Sequence, residues 1–316
     1  MKDRLFIFLG CSWVYGKFIN WELNAKNTPD VDPLFEAEQA RLHSFRSLLV
    51  NHYDVDHVSF AEGGSSNERQ FRFASEFFLQ THNNSDFART QKQYNLVRAS
   101  DWPDLNTIED FKLLSEPQLD ECALKNVNVP DWLERISRYK DVTVFWFITS
   151  THRREMYNGD VTEYDNFFLS DMKNPVVRAR LMTELIVKQG YYSVDEELKK
   201  LAAQKQLWNS YFKSCNIRNL WFDTFNHYDW PVTVDNQFDF GTEYTDIMSN
   251  MYVAIKHEKP KKNLFHFSIW EADEERSQLL VETGHLNPVT LHPTVKGHKL
   301  ISDLMISRLD YYLNLK

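Results

Sequence analysis

A serine between two glycines is the first place in the sequence where chemistry could reside. Leu5 to Leu9 carry no charge and do not alternate with polar residues, which predicts a strand buried on both faces of a parallel sheet. Gly10 then allows a sharp turn, so Ser12 would lie at the carboxyl end of this strand, four residues before Gly16. Ligands of open α/β sheets bind at that edge. Ser12 is therefore a candidate nucleophile if a base can reach it, and otherwise a helix cap or part of a phosphate-like pocket.

Two further turns contain residue types that suit the same edge of a sheet. A candidate strand at 56–61 ends in the turn Glu62-Gly63-Gly64-Ser65-Ser66-Asn67, which leads into a predicted helix. Near the end of the sequence, His292-Pro293 stands shortly before an apolar-faced helix. Simpler interpretations are also open, because a positive φ alone would explain Gly64, and Asn67 suits the first turn of a helix.

The elements that must position these residues alternate between strands and helices. Besides 5–9, the sequence predicts strands at 56–61, 142–148 and 219–225, with a further candidate at 263–270. It predicts helices at 34–50, 66–81, 131–139, 175–188 and 193–214, and one that closes the sequence. Repeated strand–turn–helix units favour an α/β fold with a parallel sheet and helices on both faces. We predict one domain over residues 1–316, with insertions near 82–127 and 226–285.

The composition of the 316 residues limits the classes of function. Hydrophobic residues make up 42% and charged residues 26%, which is typical of a globular protein. A net charge of −9 argues against a general nucleic-acid binder, because such proteins neutralise phosphates with Lys and Arg. The three cysteines form neither a disulfide framework nor a zinc motif, and the histidines lack ligand-like spacing. We therefore predict no metal and no other cofactor.

The sequence also bears on location and partners. Only five apolar residues follow the first four, too few for a secretory signal, and no run approaches the length of a membrane span. We therefore expect a cytoplasmic protein that does not associate with a membrane. The aromatic share of 15% is high, and aromatic side chains line both protein interfaces and carbohydrate-binding surfaces.

Three blocks of the sequence together resemble the SGNH, or GDSL-like, hydrolase superfamily. Gly10-Cys11-Ser12-Trp13-Val14-Tyr15-Gly16 is similar to the family's first block, Gly-Asp-Ser-x-x-x-Gly, with Cys11 where Asp usually stands. The turn at 61–67 resembles the second block, with Gly64 as its glycine. The last block is matched by Leu291-His292-Pro293 followed by Gly297-His298. In order and spacing, these blocks cover nearly the whole chain.

The resemblance implies a flavodoxin-like three-layer α/β/α sandwich and the hydrolysis of an ester by a Ser–His pair. His292 would take the proton of the Ser12 hydroxyl and return it to the leaving alcohol. The backbone N–H groups of Ser12 and Gly64 would bind the oxyanion. His298 would then be a helix-face residue rather than the base.

The chain departs from the family pattern at the third block. Thr149-Ser150-Thr151-His152-Arg153 stands where Gly-x-Asn-Asp is expected, so the remaining oxyanion donor would be Ser150, Thr151 or Arg153. Losing one such donor typically lowers the rate about 100- to 1,000-fold. Asn67, Ser150 and Arg153 are also candidate substrate-binding residues, with a surface ion pair as the alternative for the arginine.

A second departure concerns the group that would orient the base. The family has an acid three residues before the histidine, and this chain has Val289 there. His292 would thus work as a dyad with Ser12, or take an orienting acid from elsewhere, for which Asp235 and Asp239 are candidates.

A Gly-Cys-Ser first block with a Thr-Ser-x-x-Arg third block is similar to sequences of bacteriophage and marine microbial genomes. That resemblance implies an esterase acting on a small-molecule or glycan ester, such as an O-acetyl group on a polysaccharide. It equally allows a catalytically silent component of a larger assembly, such as a phage virion, with other structural proteins as partners. A glycan-binding module that uses the same cleft is a third interpretation.

Overall fold

The computed structural model describes residues 2–16, 19, 39–61, 66–75, 78, 136–137, 139–149, 151, 153–157, 164–168, 193–225, 228, 230, 235–258, 274–288 and 290–314. The strands are β1 (Arg4–Leu9), β2 (Asp56–Ser59), β3 (Asp141–Ile148), β4 (Arg153–Tyr157), β5 (Tyr164–Phe168) and β6 (Arg218–Asp223). The helices are α1 (Ser12–Tyr15), α2 (Phe45–Tyr53), α3 (Asn67–Ala74), α4 (Val194–Ser214), α5 (Ile247–Ile255), α6 (Glu274–Glu282) and α7 (Val295–Asn314).

Four parallel strands form the central sheet in the order β2-β1-β3-β6. Phe8 of β1 pairs with Ser59 of β2 on one side and with Phe145 of β3 on the other, and Phe145 pairs with Leu220 of β6. Counted along the chain, this is the 2-1-3-4 order with which flavodoxin-like sheets begin. The predicted α/β fold with a parallel sheet is confirmed.

Helices cover both faces of this sheet and give it three layers. In β1, Phe6 and Phe8 face one core, which is completed by α2, α5, α6 and α7. Leu5, Ile7 and Leu9 face the other core, which is completed by α3 and α4. Because both faces are buried, β1 has apolar side chains in both directions, which explains the unbroken apolar run in the sequence.

Polar caps explain where several helices begin. The side chains of Ser44, Ser66, Ser193 and Asp246 each accept a hydrogen bond from the backbone N–H three residues on. Such a cap satisfies one of the N–H groups that the first helical turn leaves without an internal partner. At Ser44 the cap starts α2 and separates it from a helical turn at 39–43, so the helix predicted at 34–50 is divided in two.

Part of the segment predicted as an insertion at 226–285 contributes to the core. Phe238, Met251 and Leu280 are fully buried on the face covered by α2 and α7. An antiparallel hairpin of β4 and β5, which the sequence did not predict, follows β3. The predictions at 82–127, 175–188 and 263–270 lie outside the described residues, as does most of 131–139. Among the helices that the structure describes, none is long and apolar enough to cross a membrane.

Candidate active site

Ser12 and His292, which lie 280 residues apart in the chain, are in hydrogen-bond contact. The Nε2 atom of His292 is 2.7 Å from the Oγ atom of Ser12. Ser12 is buried, with 4% of its surface exposed, and His292 is partly buried. The structure thus brings together the two residues to which the sequence assigned nucleophile and base.

A single helical turn at the carboxyl end of β1 positions Ser12. The carbonyl of Cys11 accepts hydrogen bonds from the backbone N–H groups of Val14 and Tyr15, both at 3.0 Å. Gly16 closes the turn in the left-handed region, with a φ of 86°, and its N–H donates to the carbonyl of Ser12 at 3.0 Å. This conformation favours glycine, which explains the second glycine of the motif.

A tight loop before α7 positions His292. The backbone N–H of Asn287 donates to the carbonyl of His292, and the N–H of Leu291 donates to the carbonyl of Asn287, both at 2.9 Å. The side chain of Asn287 also accepts from the N–H of Thr290 at 3.0 Å. Leu291 has a φ of 57°, and the loop is closed by an antiparallel bridge between Leu286 and Pro293. The imidazole is therefore carried by a loop whose described residues are joined by backbone and side-chain hydrogen bonds.

The hydrogen bond at the second ring nitrogen of His292 determines the tautomer of the imidazole. Its Nδ1 atom is 2.8 Å from the carbonyl oxygen of Thr290. A carbonyl oxygen can only accept, so Nδ1 carries the proton and donates it to Thr290. In the neutral ring Nε2 is then an acceptor, which is the state that can take a proton from the Ser12 hydroxyl.

The two acids predicted as candidate orienting groups are held elsewhere. The carboxylate of Asp239 accepts from the N–H of Gly241 at 2.6 Å and from Arg308 at 3.2 Å. Asp235 is exposed, and its backbone carbonyl accepts from the side chain of Asn209. The backbone carbonyl of Thr290 occupies the position at Nδ1 for which the sequence suggested these acids.

The structure describes only part of the predicted oxyanion hole. The N–H of Ser12 is the first of α1, so it has no acceptor within that helix. Thr151 lies just past the end of β3 and is buried, with 6% of its surface exposed. Gly64 and Ser150 lie outside the described residues, and Arg153 is described only as the first backbone position of β4.

Asn67 is engaged with the backbone rather than pointing toward a substrate. Its side-chain NH₂ donates to the carbonyl of Thr149 at 3.0 Å, and its side-chain oxygen accepts from the N–H of Thr149 at 2.8 Å. The side chain is buried, with 4% exposure for the residue. Both ends of the amide are thus bonded within the protein, which gives Asn67 a structural role, and its substrate-binding role stays a prediction.

His298 lies in a helix, as predicted, and its side chain is in the core. It is fully buried, and its Nδ1 atom accepts from the backbone N–H of Phe45 at 3.3 Å. Burial lowers the pKa of His298 to about 3, and the positive charges that His292, Arg46 and His43 can carry act in the same direction. His298 therefore stays neutral in the folded protein and does not compete with His292 as a base.

A buried ionic cluster at the end of β6 was not predicted. The Nζ atom of Lys205 is 3.6 Å from Asp223 and 2.9 Å from the side-chain oxygen of Gln237, and it lies 3.4 Å from the centre of the Trp230 ring. The side chains of Lys205 and Asp223 are both fully buried. Burial lowers the pKa of Lys205 to about 8, although Asp223 opposes this shift. No pattern in the sequence signals this pair, because Lys205 and Asp223 stand in different elements and many other charged residues surround them in the sequence.

Within the described ranges, no group of three or more His, Cys, Asp or Glu residues is arranged to hold a metal ion.

Comparisons of the chain with models of protein families, with curated proteins and with solved structures gave no significant match.

Proposed function

We propose that the protein is a serine ester hydrolase of the SGNH type, with Ser12 as the nucleophile and His292 as the base. The observation that carries this proposal is the 2.7 Å contact between His292 Nε2 and Ser12 Oγ, in a ring whose Nδ1 donates to Thr290. A serine becomes a nucleophile when a base within hydrogen-bond reach is itself held in the correct tautomer. The position of Ser12 at the carboxyl end of a central parallel strand suits ligand binding.

The reaction follows from these positions. Ser12 Oγ attacks the carbonyl carbon of the ester while its proton passes to His292 Nε2. The tetrahedral intermediate then breaks its bond to the alcohol, which leaves with the proton from His292. His292 then takes a proton from water, which attacks the acyl carbon. The bond from that carbon to Ser12 Oγ breaks, Oγ takes the proton back from His292, and the acid is released. The N–H of Ser12 at the start of α1, which has no acceptor within that helix, would bind the developing oxyanion.

A carbonyl at Nδ1 performs only part of the task of a carboxylate. It fixes the tautomer and the direction of the ring, because it can accept one N–H hydrogen bond. It carries a partial charge rather than a full one, so it stabilises the imidazolium of the transition state less. We therefore expect a slower enzyme than one with an acid before the histidine.

The substrate that we propose is a small acyl ester on a carbohydrate, such as an O-acetyl group of a polysaccharide. The resemblance of the first, second and last blocks to SGNH hydrolases supports the ester, and the resemblance of the first and third blocks to sequences of bacteriophage and marine microbial genomes supports the polysaccharide.

Labelling with a fluorophosphonate tests the proposal directly, because this reagent reacts with a serine that its neighbours have activated. We expect labelling of the wild-type protein and loss of labelling in Ser12→Ala and in His292→Ala. Ser214→Ala and His52→Ala are matched controls, since both positions are exposed and lie outside the contact between Ser12 and His292. Labelling that persists in Ser12→Ala would refute the assignment of the nucleophile.

The alternative is a catalytically silent protein that keeps the fold as part of a larger assembly. The sequence at 149–153, which lacks the asparagine of the third block, favours this alternative. It predicts that folded wild-type protein is not labelled and that it forms a discrete oligomer or co-purifies with structural proteins. An active monomer would exclude it.

A further inference from the structure

Strand β1 leaves the sheet before its neighbour β3 does. Leu9 pairs with Trp146 as the last residue of the β1–β3 ladder, whereas β3 continues to Ile148. The departure of β1 allows the turn that carries Ser12. Beyond Leu9, β1 no longer lies beside β3 to bond the carbonyl of Phe147 or the N–H and carbonyl of Thr149. Buried backbone groups need hydrogen-bond partners, so these groups must find them elsewhere.

Two side chains from the first turn of α3 take over these bonds. Asn67 donates to the carbonyl of Thr149 and accepts from its N–H, at 3.0 and 2.8 Å. Gln70 donates to the carbonyl of Phe147 at 2.9 Å. The two residues are three positions apart and so lie on the same face of the helix. Both are buried, with 4% and 0% of their surface exposed.

The hydrogen bonds on the opposite side of β3 agree with the replacement of β1 by the side chains of Asn67 and Gln70. The carbonyl of Ile148, between the two residues bonded by α3, accepts from the N–H of Thr224 after β6 at 3.0 Å. Successive residues of a strand direct their backbone groups to alternate sides, so Phe147 and Thr149 face the side that β1 has left. The amide of Asn67 there bonds both the N–H and the carbonyl of Thr149, as the backbone of a neighbouring strand would do.

We propose that Asn67 and Gln70 are positioning residues, which continue the ladder of β3 so that β1 can leave it and hold Ser12 against His292. This inference rests on the proposed function, because it assigns these residues a role at the same site. Thr149, which Asn67 holds, stands two residues before Thr151, a candidate oxyanion donor. Neither Asn67 nor Gln70 needs to touch the substrate.

The test compares fluorophosphonate labelling rates of folded protein at saturating reagent. We expect Asn67→Ala to lower this rate roughly 10- to 100-fold, because a displacement of about 1 Å costs up to about 100-fold. The matched control is Asn219→Ala, which removes a buried asparagine bonded to Asn209 at the opposite end of the sheet and leaves the rate unchanged. A wild-type rate in Asn67→Ala would overturn the inference. Gln70→Ala removes a single bond and serves if Asn67→Ala does not fold.

Asn67→Asp adds a readout that a loss of stability would not give. The carboxyl group keeps the size of the amide and regains a donor toward the Thr149 carbonyl only when it is protonated. Facing that carbonyl in a buried place, it should have a raised pKa. We therefore expect the labelling rate, divided by that of the wild type at the same pH, to rise as the pH is lowered from 8 to 6. A ratio that is low and constant with pH would count against the inferred bond.

A second measurement separates this inference from the proposed function. If folded wild-type protein is not labelled at all, the hydrolase proposal fails, and NMR of the wild type and Asn67→Ala still decides the role of Asn67. We expect faster hydrogen exchange at the Thr149 amide and a changed Nε2 chemical shift of His292 in the variant. Unchanged values of both in Asn67→Ala would overturn the inference.

Discussion

The buried neutral His298 predicts a specific loss of stability in mild acid. Its pKa falls from the ordinary value of 6.5 to about 3 in the folded protein, chiefly because of burial. The folded state therefore resists a proton that the unfolded state accepts below pH 6.5. The contribution of His298 to the free energy of unfolding is fully present above that pH and decreases as the pH falls toward 3.

The size of this effect follows from the two pKa values. Each pH unit between them changes the free energy of unfolding by about 1.4 kcal/mol. At pH 5 the folded protein should have lost about 2 kcal/mol relative to pH 7.5 through His298 alone. The variant His298→Asn removes the titration and keeps an acceptor near Nδ1 for the N–H of Phe45.

Urea unfolding at pH 7.5 and pH 5.0 measures the prediction. Both proteins should carry His292→Ala, so that the titration of the neighbouring His292 does not enter the comparison. His298→Asn is expected to be less stable at pH 7.5, because the smaller side chain leaves a cavity in the core. The protein that retains His298 should nevertheless lose about 2 kcal/mol more between the two pH values than the variant. Equal losses would refute the reasoning, because they would mean that His298 can accept a proton where it lies.

Three further predictions concern the turn, the loop and the ionic cluster. Gly16→Ala should lower the free energy of unfolding by about 1–2 kcal/mol in urea titrations, because its φ of 86° is unfavourable for alanine; an unchanged stability would mean that the turn relaxes. Asn287→Ala should lower the fluorophosphonate labelling rate roughly tenfold by loosening the loop of His292, and a wild-type rate would contradict this. Lys205→Met should cost about 3–5 kcal/mol by leaving Asp223 buried without its cation. Adding Asp223→Asn should recover part of that loss in thermal unfolding, and no recovery would argue against the ion pair.

The sequence predicted the parallel sheet well because the signal is local. β1 and β3 have apolar side chains toward both faces, and that pattern is visible within eight residues. The glycines around Ser12 likewise mark a turn whose shape depends on neighbouring residues. The contact of Ser12 with His292 could be anticipated only through the resemblance to a family, since composition carries no sign of a contact over 280 residues.

The features that the sequence could not predict depend on backbone groups or on distant packing. The partner of His292 Nδ1 is the carbonyl of Thr290, and every residue has such a carbonyl, so no residue type signals it. The bonds of Asn67 to Thr149 could not be predicted from the sequence, because they join residues 82 positions apart. Phe238 stands in a segment rich in turn residues, and its burial depends on β6 and α7 packing around it.

The separation of Ser12 and His292 along the chain also determines when the site can exist during synthesis. A ribosome that has completed β1, β2 and β3 has produced Ser12 and three of the four strands of the central sheet, but not His292. His292 follows Ser12 by 280 residues, so the serine is present without this partner until those residues have been translated and the loop before α7 has docked. Under the proposed function, a nascent chain cannot attack esters before that point, and reactivity of Ser12 would report that its fold is complete.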